Sequence, residues 1–209
     1  MSNKGKLKGL YVITDDTLTP NKTLLAQVEE ALKGGATIVQ LRDKTSNDEQ
    51  IEKKSIELQN LCKEYDALFV LNDKFEIAIK LQCDGLHIGK SDHENFIEIR
   101  KNFQGIIGVS CYGDVELGKK FEKLGADYVA FGSFYSSPTK PNSAQVPLET
   151  ITKAKEEINI PICTIGGINS KNLKEIIQYN PDMVSVVSDI WKSEDILTKS
   201  LLFAKEFKS

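Results

Sequence analysis

Short apolar runs rich in Val, Ile, Leu and Tyr recur along the whole chain. Their apolar residues are continuous rather than alternating, which predicts buried strands covered on both faces, as in a parallel sheet. Between these runs, apolar residues at helical spacing predict helices, as with Leu24, Val28, Ala31 and Leu32. The predicted strands are 10–13, 37–41, 68–71, 85–88, 106–109, 128–131, 162–165 and 183–187.

Residue types that begin or end elements fall between these runs. Asn47 or Asp48 is expected to cap the second helix, while Gly34-Gly35 ends the first and Gly125 ends the fifth. Pro161 opens the seventh strand. Eight strands, each followed by one helix, predict an α/β TIM barrel. An open doubly wound sheet is the alternative, but it would gather its polar residues at one crevice, whereas here they follow nearly every strand.

Length and charge narrow the class of protein. A chain of 209 residues fits one domain, 1–209, better than two. The net charge is −3, and Lys and Glu are mixed along the chain without a basic block, so no nucleic-acid partner is expected. The apolar run 9–13 is too short for a signal sequence, and no run is long enough to cross a membrane.

The cysteines are few and widely spaced, and only two histidines accompany them. This spacing favours reduced, buried thiols in a cytoplasmic protein over a zinc site or a disulfide framework. The sequence does not fix the oligomeric state, and a homo-oligomer stays open. The cysteines are Cys62, Cys83, Cys111 and Cys163.

The residues that directly follow the predicted strands are the candidate site, because the active face of a barrel lies at the carboxyl ends of its strands. Any one of them could be a solvated surface charge or a turn residue. Their shared placement on one rim is what indicates a site. They are Gln40, Arg42, Lys44, Asn72, Asp73, Lys90, Asp92, Ser110, Ser137, Thr139, Lys140, Gly166, Gly167 and Ser188.

Charged residues at this rim predict a magnesium diphosphate site. Asp73 and Asp92 follow neighbouring strands and could share Mg²⁺, which takes one or two carboxylates and leaves its other positions to water and phosphate oxygens. General acid and base work is the alternative for two carboxylates. The cations Arg42, Lys44 and Lys140 argue against it. With one Mg²⁺ counted, the cluster carries about +3, which would balance a bound diphosphate.

Two further segments predict a separate phosphate site. Gly166-Gly167 precedes a helix and can bring backbone N–H groups close to an anion, and Val187-Ser188 after the last strand offers a second backbone N–H. Many barrels build a phosphate site from the loops after strands seven and eight.

Covalent catalysis is not expected. Cys111 follows Ser110 at the rim, but neither His87 nor His93 has an obvious Ser or Cys partner in the sequence. The loop 132–146 is the one long connection, and its place at the rim predicts that it closes over the site.

Taken together, these segments resemble the thiamine phosphate synthase family over nearly the whole chain. The match begins at residues 10–15 and ends at 186–188. Any single motif is weak, but the ordered set is specific. The set is Gln40-Leu41-Arg42-Asp43-Lys44, Asn72-Asp73, Asp84-Gly85-Leu86-His87-Ile88-Gly89, Gly108-Val109-Ser110, Thr139-Lys140 and Ile165-Gly166-Gly167-Ile168.

The resemblance implies a role for each matching position. Arg42, Lys44, Ser110 and Lys140 would contact the diphosphate of one small-molecule substrate, and Asp73 and Asp92 would hold Mg²⁺. Gln40 and Asn72 would bind the aminopyrimidine or the diphosphate. The second substrate, a thiazole phosphate, would be held by Ser137, Thr139, Gly167, Val187 and Ser188.

The family's reaction, as the resemblance implies it, is dissociative. The bond from the pyrimidine methylene to the diphosphate breaks first, and the thiazole nitrogen captures the resulting cation. Such chemistry needs preorganised positive charge on the leaving oxygen and a site that excludes water.

Three residues depart from the family pattern: Lys90 stands where Gln is usual, Ser137 where Thr is common, and Asp189 where a small apolar residue is usual. The role of Lys90 is open, and Asp189 would disfavour a phosphate unless its carboxylate points away. The alternatives to a synthase are a thiazole tautomerase on the same barrel, which needs no diphosphate cluster, and a non-catalytic phosphate-ligand sensor.

Overall fold

Eight parallel strands close into a barrel in this protein, whose computed structural model describes residues 3–136 and 144–207. β1 pairs with both β2 and β8, which closes the ring and excludes an open sheet. The predicted TIM barrel is confirmed. The strands are β1 (Gly9–Ile13), β2 (Ala36–Leu41), β3 (Leu68–Asn72), β4 (Gly85–Ile88), β5 (Ile106–Tyr112), β6 (Tyr128–Phe131), β7 (Ile162–Thr164) and β8 (Met183–Val186).

Helices surround the barrel and connect its strands. They are α1 (Leu24–Lys33), α2 (Asp48–Glu64), α3 (Phe75–Leu81), α4 (Phe96–Asn102), α5 (Val115–Leu124), α6 (Glu149–Glu157), α7 (Leu173–Ile177), α8 (Ser188–Trp191) and α9 (Ile196–Lys205). Two 3-10 turns, Asn3–Lys6 and Lys90–Asp92, complete the described elements. None of the helices within the described ranges is long and apolar enough to span a bilayer.

The expectation of one helix per strand is wrong after β8, where the short α8 precedes α9. The α8 helix is anchored by the Trp191 indole, whose Nε1 donates to the Ile13 carbonyl at 2.6 Å. The chain then turns, and Asp195 caps α9 by accepting from the Thr198 N–H at 2.8 Å. The chain therefore forms two helices here, because α8 is fixed at the rim by Trp191 and α9 begins at its own N-cap, Asp195.

The predicted helix boundaries are confirmed by their caps. The Asn47 side chain accepts from the Gln50 N–H, and the Gln50 side chain accepts from the Asn47 N–H, which forms a capping box at α2. Gly34 ends α1, and Gly125 ends α5 in a left-handed conformation that favours glycine.

Two apolar layers form the core, because successive strand residues point to opposite faces. In β1, Leu10 and Val12 pack outward against the helices, whereas Tyr11 and Ile13 point into the barrel. All four cysteines are buried and unpaired, as expected from their spacing. The inner layer is Leu7, Tyr11, Ile13, Ile38, Leu68, Val70, Ile106, Tyr128, Ala130, Cys163 and Met183.

Candidate active site

A cavity of about 310 Å³ opens at the carboxyl ends of the strands. This is the rim at which barrel enzymes carry their active sites. Most of the predicted site residues that the structure describes line it. Those residues are Gln40, Arg42, Lys44, Asn72, Asp73, Ser110, Gly166, Gly167, Val187 and Ser188.

The remaining predictions are not placed in the cavity. Ser137, Thr139 and Lys140 lie outside the described residues, as does the middle of the loop expected to close. Asp92 does not line the cavity; its Oδ2 accepts from the Ser91 hydroxyl at 2.8 Å on the 3-10 turn Lys90–Asp92. Lys90 is exposed and also lies outside the lining. The turn begins beside Gly89, whose N–H donates to Asp73 Oδ1 at 3.3 Å.

The side chain of Asp43 holds the loop after β2, which carries Arg42 and Lys44. Asp43 Oδ1 accepts from the backbone N–H groups of Thr45 and Ser46 at 3.0 and 2.8 Å. Its Oδ2 forms an ion pair with Lys54 Nζ at 2.6 Å, and the side chains of this pair are only 6% and 13% exposed. Burial by itself would raise the pKa of Asp43, but the Lys54 ammonium and the loop donors outweigh it and hold that pKa well below its usual range.

Lys44 reaches across the cavity rim to the strand-three end and pairs with the Asp73 carboxylate. Asp73 has a left-handed backbone, with φ of 65°, and its N–H donates to the His87 carbonyl at 3.0 Å. This backbone turns the carboxylate towards both Lys44 and the Gly89 N–H. One cation of the rim is therefore matched by a carboxylate.

The glycine pair after β7 packs against the loop after β6. A Cβ on Gly167 would lie 2.5 Å from the Ser136 carbonyl oxygen and 2.6 Å from that of Tyr135, and φ at Gly167 is +65°. Both the space and the backbone conformation therefore require glycine. The Asn169 and Asn172 side-chain amides donate to the Gly167 carbonyl at 3.1 and 3.0 Å, which fixes the turn.

The end of β8 places Val187 and Ser188 in the cavity wall and turns Asp189 away from it. Asp189 Oδ2 accepts from the Ser170 N–H at 2.9 Å and lies 3.5 Å from Lys199 Nζ. The departure from the family pattern at Asp189 therefore puts no carboxylate beside the glycine pair.

The structure gives His87 a serine partner that is not obvious in the sequence. Its Nε2 lies 2.9 Å from Ser110 Oγ, and its Nδ1 lies 2.8 Å from the Tyr128 hydroxyl. The Tyr128 hydroxyl contacts that of Tyr11 at 2.9 Å, and Gln40 Nε2 donates to the Tyr11 hydroxyl at 2.6 Å. Nothing in the sequence marks this connection, because Tyr11 and Tyr128 occur in apolar runs and are typical of core residues.

A cysteine nucleophile is excluded at the rim. Cys111 is fully buried, and burial raises the pKa of its thiol to about 12, so that the thiolate is scarce near neutral pH. His93 does not line the cavity; its ring packs on Phe121 with centroids 4.7 Å apart, and burial lowers its pKa. Several lining residues were not predicted, among them Ile13, Thr14, Asp15, His87, Tyr112, Ala130, Ser133 and Ser185.

Comparisons with known proteins agree with this geometry. The family profile described as thiamine monophosphate synthase matches residues 10–190. The thiamine-phosphate synthase of Wolinella succinogenes is 42% identical over 188 residues, which cover 89% of this chain and 86% of the relative. That of Thioalkalivibrio sulfidiphilus is 38% identical over 192 residues, with 91% and 90% covered.

A solved structure gives the same result in three dimensions. Thiamine phosphate pyrophosphorylase from Pyrococcus furiosus superimposes with a TM-score of 0.87 at 35% identity, covering 98% of this chain and 97% of that one. Sequence and fold thus agree over nearly the full length, and the chain belongs to the thiamine monophosphate synthase family.

Proposed function

We propose that this chain condenses an aminopyrimidine diphosphate with a thiazole phosphate, giving thiamine phosphate and free diphosphate. The observation that carries the proposal is that the two sides of the cavity differ in the residues that line them. Arg42, Lys44 and Asp73 line one side, while Gly167 and Ser188 line the other. A reaction that joins two anionic substrates needs two separate anion sites facing one space, and this cavity offers both.

On the charged side, Arg42 and Lys44 would bind the diphosphate and stabilise the charge that develops on its leaving oxygen. Arginine presents a planar fork of donors that suits phosphate oxygens, and lysine adds a point charge. Ser110 would donate a hydroxyl hydrogen bond to the same group. Lys140 would add a further cation from the loop after β6, as the family resemblance implies. Such preorganised charge is the main catalytic requirement of a dissociative step.

A Mg²⁺ ion beside the diphosphate is part of this proposal, and the Asp73 carboxylate in the cavity wall supports it. Asp73 presents a carboxylate at the rim whose side chain is 24% exposed, and Asp92 lies on the turn that begins beside Gly89. Hard oxygen ligands with water and phosphate completing the shell are what Mg²⁺ prefers. Asp73 and Asp92 would hold the ion, which would supply positive charge to the diphosphate oxygens. Lys44 would then turn from Asp73 towards the substrate.

The pyrimidine would lie on the barrel floor between these two sides. Gln40 is almost fully buried and Asn72 ends β3, and both line the cavity. Their amides would bind the edge of the aminopyrimidine or the nearby diphosphate. The apolar walls at Ile13, Ala130 and Ile165 would exclude water from the cation that forms when the diphosphate departs.

On the other side, Gly167, Val187 and Ser188 would hold the phosphate of the thiazole, joined by Ser137 and Thr139 from the loop after β6. This group keeps its charge throughout the reaction, so it needs binding but no change in stabilisation. Asp189 would not repel this phosphate, because Ser170 and Lys199 hold its carboxylate away from the cavity.

The tautomerase and sensor alternatives are less well supported. Neither has a diphosphate to ionise, so neither accounts for Arg42, Lys44 and Asp73 meeting in one cavity. We also propose a cytoplasmic location, which is supported by four unpaired buried thiols.

The test is to mix the purified protein with both substrates and Mg²⁺ and to quantify thiamine phosphate and diphosphate. Equal amounts of the two products are expected, with none when the thiazole phosphate or Mg²⁺ is omitted. Diphosphate without thiamine phosphate would instead indicate a hydrolase, and no turnover at all would refute the proposal.

A further inference from the structure

A continuous chain of hydrogen bonds crosses the barrel interior and links two parts of the cavity wall. It runs from Gln40 on β2 through Tyr11 on β1, Tyr128 on β6 and His87 on β4 to Ser110 on β5. The four contacts measure 2.6, 2.9, 2.8 and 2.9 Å in that order. Five side chains from five strands thus form one chain, which we term the interior relay.

The interior relay is shielded from solvent. Tyr128 is fully buried, and Tyr11 and Gln40 are 1% and 2% exposed. Gly108 makes room for it, because a Cβ there would lie 1.9 Å from the Tyr128 ring. The His87 and Tyr128 rings stack with centroids 5.7 Å apart. Since water has little access, each hydroxyl depends on its neighbours in the relay to satisfy it.

The donor at one end sets the direction of the whole relay. Gln40 Nε2 can only donate, so the Tyr11 oxygen accepts from it and the Tyr11 hydroxyl hydrogen is left for Tyr128. The Tyr128 hydroxyl then donates to His87 Nδ1. In a neutral imidazole the other nitrogen carries the hydrogen, so Nε2–H donates to Ser110 Oγ. Each contact is thereby given one donor and one acceptor.

We propose that Tyr11, Tyr128 and His87 are positioning residues that set the direction of the hydrogen bonds in the interior relay. At the two ends that face the cavity, Ser110 is then a hydrogen-bond donor and Gln40 a hydrogen-bond acceptor towards the pyrimidine substrate. This inference rests on the proposed function. Ser110 accepts from His87, so its own hydroxyl hydrogen is free for a ligand in the cavity. Gln40 donates one of its two Nε2 hydrogens to Tyr11, which fixes the orientation of the amide, so its Oε1 is the acceptor that it offers to that ligand.

The donor role of Ser110 and the acceptor role of Gln40 both suit an aminopyrimidine diphosphate. A hydroxyl donor stabilises a diphosphate oxygen, and an amide oxygen accepts from the exocyclic amino group. The reverse direction would place an acceptor against an anion and an amide donor against an amino group, which is unfavourable at both ends. The relay would therefore favour a 4-aminopyrimidine over its 4-oxo analogue, since a buried acceptor facing a carbonyl oxygen is left unpaired.

The direct test is the tautomer of His87, read by ¹⁵N NMR of the ring nitrogens in the ligand-free wild-type protein. Signals that vanish in His87→Asn, and that persist in His93→Gln, belong to His87. We expect the neutral ring with hydrogen on Nε2. A ring with hydrogen on Nδ1, or on both nitrogens, would overturn the direction of the relay. This result does not depend on whether the protein catalyses the proposed reaction.

The functional test removes one internal hydroxyl with Tyr128→Phe and compares it with Tyr65→Phe. The Tyr65 hydroxyl also makes a hydrogen bond, at 2.8 Å to Glu29, but Tyr65 does not line the cavity. We expect Tyr128→Phe to lower kcat/KM for the pyrimidine diphosphate about tenfold and to leave the KM for thiazole phosphate within about twofold. Tyr65→Phe should match the wild type.

The discrimination between the 4-amino and 4-oxo substrates should also shrink in Tyr128→Phe. If Tyr128→Phe does not fold, Tyr11→Phe interrupts the same relay and should give the same pattern. Equal losses towards both substrates, or an unchanged amino-to-oxo ratio, would overturn the positioning role. If the wild type lacks synthase activity while His87 carries its hydrogen on Nε2, the failure lies with the proposed function and not with the direction of the relay.

Discussion

The two sides of the cavity differ in charge. The charged side, at the ends of β2 and β3, consists of Arg42, Lys44 and Asp73. The neutral side, at the ends of β7 and β8, consists of the residues 166–167 and 187–188, none of which carries a charge. The charged side is supported by the buried Lys54 and Asp43 ion pair, whereas the neutral side is supported by backbone contact with the loop after β6.

The two sides would therefore act differently on their anions. Charged side chains stabilise charge that appears during a reaction, because they interact more strongly with the transition state than with the ground state. A turn of uncharged residues holds a group whose charge does not change. We therefore expect substitutions on the charged side to lower kcat and those on the neutral side to raise the KM for thiazole phosphate.

The largest effect is expected from Arg42→Ala. Loss of a preorganised cation beside the leaving diphosphate should lower kcat about 10²- to 10³-fold, with little change in the KM for thiazole phosphate. Arg42→Lys, which keeps the charge but loses the planar fork, should recover only part of the rate. A steady-state comparison of the three proteins measures this. A loss confined to KM would remove the distinction between the two sides.

The Lys54→Ala variant tests the ion pair with Asp43 that holds the loop of the charged side. This variant leaves the Asp43 carboxylate buried without its cation, which should lower the free energy of unfolding by about 3 kcal/mol. Lys53→Ala is the matched control, because Lys53 is exposed on the same helix. Urea unfolding of the three proteins gives the values. Equal stabilities would show that the ion pair is not what holds the loop.

The same ion pair predicts how stability depends on pH. The pKa of Asp43 is lower in the folded protein than in the unfolded chain. Its contribution is therefore complete above the unfolded pKa, about 4, and is lost as the pH falls towards the folded value. The stability difference between wild type and Lys54→Ala should narrow when urea unfolding at pH 7 is repeated at about pH 3. A difference that is constant with pH would contradict this assignment.

On the neutral side, Gly167→Ala should raise the KM for thiazole phosphate about tenfold. The new methyl group would meet the Tyr135 and Ser136 carbonyl oxygens at under 3 Å, which forces the turn to shift. The expected kcat at saturating thiazole phosphate stays within a few-fold of wild type. Gly5→Ala, at a glycine with no neighbouring atom within 4 Å of the added Cβ, is the control. A fall in kcat alone would contradict the assignment of this side to binding.

The smallest effect concerns Lys44 and Mg²⁺. Because Lys44 pairs with Asp73, Lys44→Ala should free that carboxylate and tighten Mg²⁺ binding a few-fold, while turnover falls. Titration of the protein with Mg²⁺ in the absence of substrate, followed by calorimetry, would show the change. Weaker Mg²⁺ binding in this variant would exclude Asp73 as a ligand.

Much of the fold could be predicted because each signal was local. Continuous apolar runs gave the strands, and Asn47 and Gly125 gave helix ends that the structure confirms. The second helix after β8 could not be predicted, because it depends on the Trp191 indole bonding the Ile13 carbonyl across 178 residues. Tertiary contacts of that kind have no sequence period.

The cavity could be predicted in part for the same reason. Residues directly after strands, such as Arg42 and Ser110, lie at the rim because a parallel barrel places all strand ends on one face. Sequence position alone predicts that Asp92 lies with them, yet the 3-10 turn holds it outside the lining. Tyr11 and Tyr128 were missed because a phenol in an apolar run gives no sign of whether its hydroxyl has polar partners.

The most direct measurement is a crystal structure of the protein with thiamine phosphate, diphosphate and Mg²⁺ bound. The diphosphate is expected within hydrogen-bonding distance of Arg42 and Ser110, and the phosphate of thiamine phosphate against Gly167 and Ser188. Both groups on one side of the cavity, or the diphosphate against the glycine pair, would contradict the division of the site into a charged and a neutral side.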